Sequence, residues 1–139
     1  EKIIGQNGIA IGLDLSKVEQ KQANNIQTFQ CDVYDENKLN EILSKFVKFD
    51  ILTSDMAPNT SGIHDVDCAR SEELCRQVLE IAKTYLKPKG SLVMKIFQGE
   101  EFGKIVNETK KYFQKVSCFK PKACRDRSRE TYIIGINKL

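Results

Sequence analysis

Two oppositely charged residues stand where an ordinary core would carry neither. Asp55 follows Asp50-Ile51-Leu52-Thr53, which reads as the end of a buried strand, and Pro58, Asn59 and Gly62 then turn the chain. Ligands of open α/β sheets bind outside the carboxyl ends of the strands, so an acid there is placed for chemistry. Its other reading is a turn or helix cap. Lys95 lies inside the apolar run Ser91-Leu92-Val93-Met94-Lys95-Ile96-Phe97. Lysine is almost never fully buried unless paired, and Asp55 is a candidate partner. The chemistry open to such a pair is proton transfer. Burial and a neighbouring cation bring a lysine towards the range in which a general base works, whereas a carboxylate favours the charged form. On the residues alone, a base and a structural ion pair both stay open.

The elements that must position them alternate. Residues 8–15 form a short apolar strand ending in Asp14, and residues 26–30 a second that runs into Asp32. Leu39, Ile42, Leu43 and Phe46 recur at helical spacing and predict an amphipathic helix over 36–47. After the Asp50 strand, Asp67 is the expected N-cap of a longer helix marked by Leu74, Cys75, Val78, Leu79, Ala82 and Leu86, with Pro88 and Gly90 as its stop. The strand at 91–97 follows. Phe102, Ile105, Val106, Thr109, Tyr112 and Phe113 predict a further helix, and 115–119 and 131–136 two strands joined by the loop 120–130. Strands alternating with helices mean βαβ units and a mostly parallel sheet. The last two strands, joined without a helix, are expected to pair antiparallel as a hairpin at one edge. Three strands ending in Asp14, Asp32 and Asp55 suit a nucleotide-type cofactor laid across the strand ends, an acid after strand two accepting from ribose hydroxyls. Turn formation and N-capping are the plain alternatives for Asp14 and Asp32.

With 139 residues, 40% hydrophobic and 29% charged, the chain is expected to be one globular domain with a real core. No apolar run approaches the ~20 residues of a membrane helix. The opening EKIIGQNG is not a secretory signal. The net charge of +3 is uneven: residues 104–139 hold ten Lys or Arg against three Asp or Glu, and the first 103 residues twelve against sixteen. That basic third points to an anionic partner on one face. Five cysteines at scattered positions argue for a reducing compartment. His64, Cys68 and Cys75 have the wrong spacing for a zinc finger and lack a fourth ligand, so no metal is expected.

The motifs SDMAPNTSG, VMKIFQGE and RDRSRETYIIG, in that order, resemble the FtsJ/RrmJ-type RNA ribose 2′-O-methyltransferases over residues 9–137. The resemblance implies an α/β, Rossmann-like fold dependent on S-adenosylmethionine, with no metal. It implies methyl transfer to a ribose 2′-hydroxyl by a Lys-Asp-Lys-Glu tetrad. Its Asp matches Asp55, its second Lys matches Lys95 and its Glu matches Glu130. The acid that holds the cofactor ribose matches Asp14, the one near the adenine matches Asp32, and Asp55 also lies beside the methionine part. The SDMAP form and the RSRE loop resemble the ribosomal RNA branch, which implies a uridine of large-subunit ribosomal RNA as target, a cytoplasmic (or organellar) location and a monomer. A tRNA ribose methyltransferase is the nearest alternative. The family's first catalytic Lys and its glycine-rich loop have no counterpart here, so residues 1–139 are expected to be an N-terminally incomplete methyltransferase domain, part of a longer protein.

In this reading Lys95 acts as the base or orients the hydroxyl, with Asp55 and Glu130 fixing its direction. Lys120, Lys122, Arg125, Arg127 and Arg129 surround the loop that delivers Glu130 and would contact RNA phosphates, which set affinity and register rather than sequence choice. The target nucleotide must be unstacked, favouring a loop or locally open helix. No aromatic stripe of a single-strand platform is visible in the sequence. The rival from another class is a binding module with a degenerate methyltransferase fold that grips RNA without modifying it. A nicotinamide-dependent dehydrogenase shares only the acid after strand two.

Overall fold

In the computed structural model, which describes residues 3–19, 24–121 and 130–139, the chain divides into two units, Glu1–Val47 and Lys48–Leu139. In the first, strands β1 (Ala10–Asp14) and β2 (Ile26–Gln30) pair in parallel from Ala10 opposite Ile26 to Asp14 opposite Gln30. Helix α1 (Glu36–Leu43) starts at Asp35, whose carboxylate accepts from the Lys38 N–H at 3.1 Å, satisfying one of the orphan donors of the first turn. Its apolar face buries Leu39, Ile42 and Leu43. The helix stops at Leu43 rather than running to 47. The N–H groups of Lys45 and Phe46 bond three residues back, to Ile42 and Leu43, which tightens the last turn. Phe46 then meets Phe29 edge to face, with centroids 6.4 Å apart. Its helical spacing reflects that contact and not continued helix.

The second unit is built from β3 (Phe49–Ser54), α2 (His64–Tyr85), β4 (Leu86–Phe97), α3 (Phe102–Lys110), β5 (Phe113–Phe119) and β6 (Glu130–Lys138). Its sheet has the order β3-β4-β6-β5. β3 and β4 are parallel, and β6 is antiparallel to both β4 and β5. Three strands therefore run one way and the last is reversed, with the expected hairpin at one edge and β5 outermost. Side chains alternate across the sheet. Leu92, Met94, Ile96 and Ile133 are fully buried on one face, in a core with Leu79, Ile105 and Phe113 from the other elements. Each such side chain contributes about 1.5–3 kcal/mol by leaving water. Gly135 permits the closest approach in this layer, because a Cβ there would lie 2.7 Å from the Phe113 ring. The opposite face carries Val93, Lys95 and Phe97 of β4 against Ile134, Tyr132 and Glu130 of β6.

Further boundaries differ from the sequence expectation, among them that of β4, which begins at Leu86 rather than at Ser91. Asp67 does not cap α2, which begins at His64 with Ile63 as N-cap. Its carboxylate instead reaches back to the Ser61 N–H at 2.7 Å and the Ser61 hydroxyl at 2.8 Å, pinning the loop after Asp55 to the helix. The Ser61 N–H holds that carboxyl below its usual range. α2 ends at Tyr85, before Pro88, and its terminal carbonyls are taken by a side chain. Lys138 Nζ donates to the carbonyls of Lys83 at 2.6 Å and Leu86 at 2.8 Å, groups a helix end otherwise leaves orphaned. α3 ends at Lys110, and Phe113 opens β5 and packs into the core from there.

Candidate active site

β3 and β4 run parallel with Ser54 opposite Met94, so the residues one step further, Asp55 and Lys95, arrive side by side at the carboxyl ends of two neighbouring strands. The structure brings them together: Lys95 Nζ lies 3.1 Å from Asp55 Oδ1. The Lys95 side chain is 10% exposed and that of Asp55 76%, so a nearly buried cation meets a carboxylate that still faces water. Tyr132, directly opposite Lys95 on β6, donates its hydroxyl to the same Asp55 oxygen at 3.0 Å. The Lys95 ammonium holds the Asp55 carboxyl below its usual range, the Tyr132 hydroxyl adds to this, and partial burial opposes both. Asp55 is ionised at neutral pH, and two donors fix its direction.

Helix α2 holds the backbone around Lys95. The Cys75 thiol donates to the Lys95 carbonyl at 3.2 Å, and the Ser71 hydroxyl accepts from the Phe97 N–H at 2.9 Å. Burial pushes the Cys75 thiol up to about 12, so it stays a protonated donor at neutral pH. Lys95 is thereby anchored at its backbone from one face of the sheet and at its ammonium on the other. Glu130 opens β6 opposite Phe97, on the same face as Lys95 and diagonal to it.

Tyr132 is the residue that sequence reasoning missed. The signal was present: in SRETY it stands two places after Glu130, and alternation puts both on one face. Asp14 and Asp32 lie in the first unit, and each carboxylate turns the chain after its strand. Asp14 accepts from the Ser16 N–H at 2.7 Å and Asp32 from the Tyr34 N–H at 3.0 Å, both through Oδ1. Both residues are exposed, so these turns are compatible with a second hydrogen bond from a ribose or adenine group. Lys120 is exposed just beyond β5, whereas Lys122, Arg125, Arg127 and Arg129 lie outside the described residues.

A cavity of about 430 Å³ opens at the end of β4 between His64, Cys68 and Glu72 of α2 and the segment Gln98 to Glu101. It is acidic. Glu72, whose carboxyl burial pushes up, accepts from the Glu101 N–H at 3.1 Å and so serves the start of α3. That lining suits no phosphate, and the Lys95–Asp55 pair is not part of it. Among the described residues no three His, Cys, Asp or Glu side chains are arranged to hold a metal ion. No helix among them is long and apolar enough to cross a membrane.

The chain is similar to known proteins over nearly its whole length. Residues 2–138 match the FtsJ-like methyltransferase family. The chain is 45% identical over 138 residues to the ribosomal RNA large subunit methyltransferase E of Desulfatibacillum aliphaticivorans, an alignment covering 99% of this chain and 66% of that protein. It superposes with a TM-score of 0.79 and 27% identity on the crystal structure of a ribosomal RNA methyltransferase from Plasmodium falciparum, over 94% of this chain and 72% of that one. A methyltransferase from Streptococcus mutans, crystallised in complex with SAH, shares the fold at a TM-score of 0.55 and 13% identity, over 94% of this chain and 72% of its own.

Proposed function

The chain belongs to the FtsJ-like methyltransferase family, and on that premise we propose that it transfers a methyl group from S-adenosylmethionine to a ribose 2′-hydroxyl, that of a uridine in large-subunit ribosomal RNA. The observation that carries this reading is the Lys95–Asp55–Tyr132 constellation at the carboxyl ends of the strands. In this reading both units belong to one monomeric methyltransferase domain.

Asp14 would hold the cofactor ribose, Asp32 the adenine amino group and Asp55 the region of the methionine part. Exposed carboxylates are the right acceptors for hydroxyl and amino donors. The cofactor supplies an already electrophilic methyl group, so what is asked of the protein is to position the attacking hydroxyl and dispose of its proton. Lys95 performs this task, as the neutral amine taking the proton or as the ammonium orienting the hydroxyl while the proton leaves to water. Asp55, directed by Tyr132, keeps the ammonium end of Lys95 from swinging, since positioning of reacting groups supplies a large share of such a barrier. Glu130 fixes Lys95 from the β6 side. The basic residues from Lys104 onward, Lys120, Lys122, Arg125, Arg127 and Arg129 among them, engage phosphates around the target.

The test is methylation of large-subunit ribosomal RNA by the full-length protein, read as ribose methylation by resistance of the modified linkage to alkali. Lys95→Ala should abolish the product while leaving cofactor binding by calorimetry intact. Undiminished methylation by Lys95→Ala would remove the role given to it, and product on a base would remove the 2′-hydroxyl as acceptor. Cofactor-independent RNA binding without product would favour the binding-module reading.

A further inference from the structure

The strand register sets a second aromatic residue beside the candidate site. Phe119 is directly opposite Tyr132 across β5 and β6, and Tyr132 is directly opposite Lys95 across β6 and β4. Directly opposed residues share a face, with Cβ atoms about 4.5–5.5 Å apart. Phe119, Tyr132 and Lys95 therefore form one row across three strands, and Asp55, bonded to both Tyr132 and Lys95, closes it. Phe119 ends the outermost strand at the same carboxyl edge and is 54% exposed. A half-exposed phenyl ring at a strand end leaves a π-face open to a partner, and the register sets this one in the row of Lys95 and Tyr132.

We infer that Phe119, with Tyr132 behind it, is a stacking platform for an unpaired RNA base next to the nucleotide being modified. The inference rests on the RNA methyltransferase reading and assigns that site a substrate contact of its own. Stacking needs only a π-face, which every base offers, and unpaired nucleotides are commonly held this way. The charge around the ring suits the phosphates that accompany such a base: Lys115 shares its face on β5, and Lys120 follows it directly. Phe119 is about two strand spacings, roughly 10 Å, from the row position of Lys95, within reach of a flanking nucleotide. The two aromatic residues come from different strands, which is why no stripe is visible along the sequence.

The experiment uses the full-length protein and its Phe119→Ala, Phe119→Leu and Phe119→Trp variants, with thermal melting as a check on folding. The probes are a short single-stranded oligoribonucleotide carrying one 2-aminopurine, whose fluorescence is quenched on stacking, and large-subunit ribosomal RNA for methylation kinetics. Loss of one stack should weaken RNA binding by roughly 5- to 150-fold in Phe119→Ala and in Phe119→Leu, which keeps the apolar bulk but not the ring. KM for RNA should rise with it while kcat and cofactor affinity hold, and Phe119→Trp should bind and quench at least as well as wild type. Leucine and alanine variants that bind the probe like an active wild type overturn the platform and leave Phe119 to a protein neighbour. A wild type that neither binds nor methylates RNA overturns the platform and the function together.

Discussion

The contact between Lys95 and Asp55 sets its own size. At 3.1 Å two unit charges attract by about 1.3 kcal/mol in bulk water and about 5 kcal/mol at an effective dielectric constant of 20. Because 76% of the Asp55 side chain is exposed, the coupling belongs near the lower figure, at about 1–2 kcal/mol. A double-mutant cycle of Asp55→Asn and Lys95→Met in the full-length protein, read by urea unfolding at pH 7, isolates it. Asn keeps an oxygen for the Tyr132 hydroxyl and removes only the charge. Asp55→Asn alone strands a nearly buried ammonium and should be the costlier change, whereas the double variant should recover much of the loss, as replaced buried pairs do. The pH arm has a defined sign. Lys95 depresses the Asp55 carboxyl, so the coupling is fully present above the ordinary carboxylate value near ~3.9 and fades only as pH falls through the lower folded-state value. Coupling below about 0.3 kcal/mol at neutral pH would refute the reasoning, since it is then no larger than the scatter of independent sites.

Three further positions are open to the same kind of test. Tyr132→Phe keeps the ring and deletes the hydrogen bond to an ionised acceptor, worth about 1.5 kcal/mol, so kcat for methyl transfer should fall roughly 10-fold with cofactor affinity unchanged. An unchanged kcat would remove Tyr132 from the positioning of Asp55. Thr131 is 2% exposed and its hydroxyl has no partner among the described residues, so Thr131→Val should raise stability by about 1 kcal/mol in the same unfolding assay. A drop instead would mean that the hydroxyl is satisfied in solution. Gly99→Ala would bring a Cβ within 2.6 Å of Cys68 Cβ and 2.8 Å of Glu72 Oε1, atoms held by a helix, and should cost about 1–3 kcal/mol. An unaltered urea midpoint would show that the approach is looser than described.

Much of the site was legible because charge inside an apolar run is a contradiction the chain must resolve. Lys95 in a core strand demanded a partner, and Asp55 at a neighbouring strand end is that partner. β2 spans the residues its composition predicts, Ile26–Gln30. What escaped is what sequence order hides. Alternation alone puts Tyr132 on the face of Glu130, but its place opposite Lys95, and that of Phe119 opposite Tyr132, come from the pairing of β6 with β4 and β5, a register no one-dimensional period encodes. Asp67 was misread for a related reason. An acid near a helix start is a common cap, yet here its best donors lie six residues back, at Ser61, inside the loop it holds. Phe46 shows the limit of periodicity itself, since contact with Phe29 and continuation of a helix place an aromatic at the same spacing.

The position of β6 also ties the sheet to the site. Among the described strands β5 has no partner except β6, and β4 has β6 along its second edge from Leu92 to Phe97, so residues 130–138 join two strands that precede them in the chain. Until residues 130–138 are in place, β5 has no strand beside it among the described strands and β4 has none on its second edge. The same stretch delivers Glu130 and Tyr132 to the site and sends Lys138 to the end of α2. A chain short of β6 has neither a joined four-stranded sheet nor a directed Asp55, so the candidate site and the sheet depend on the same nine residues.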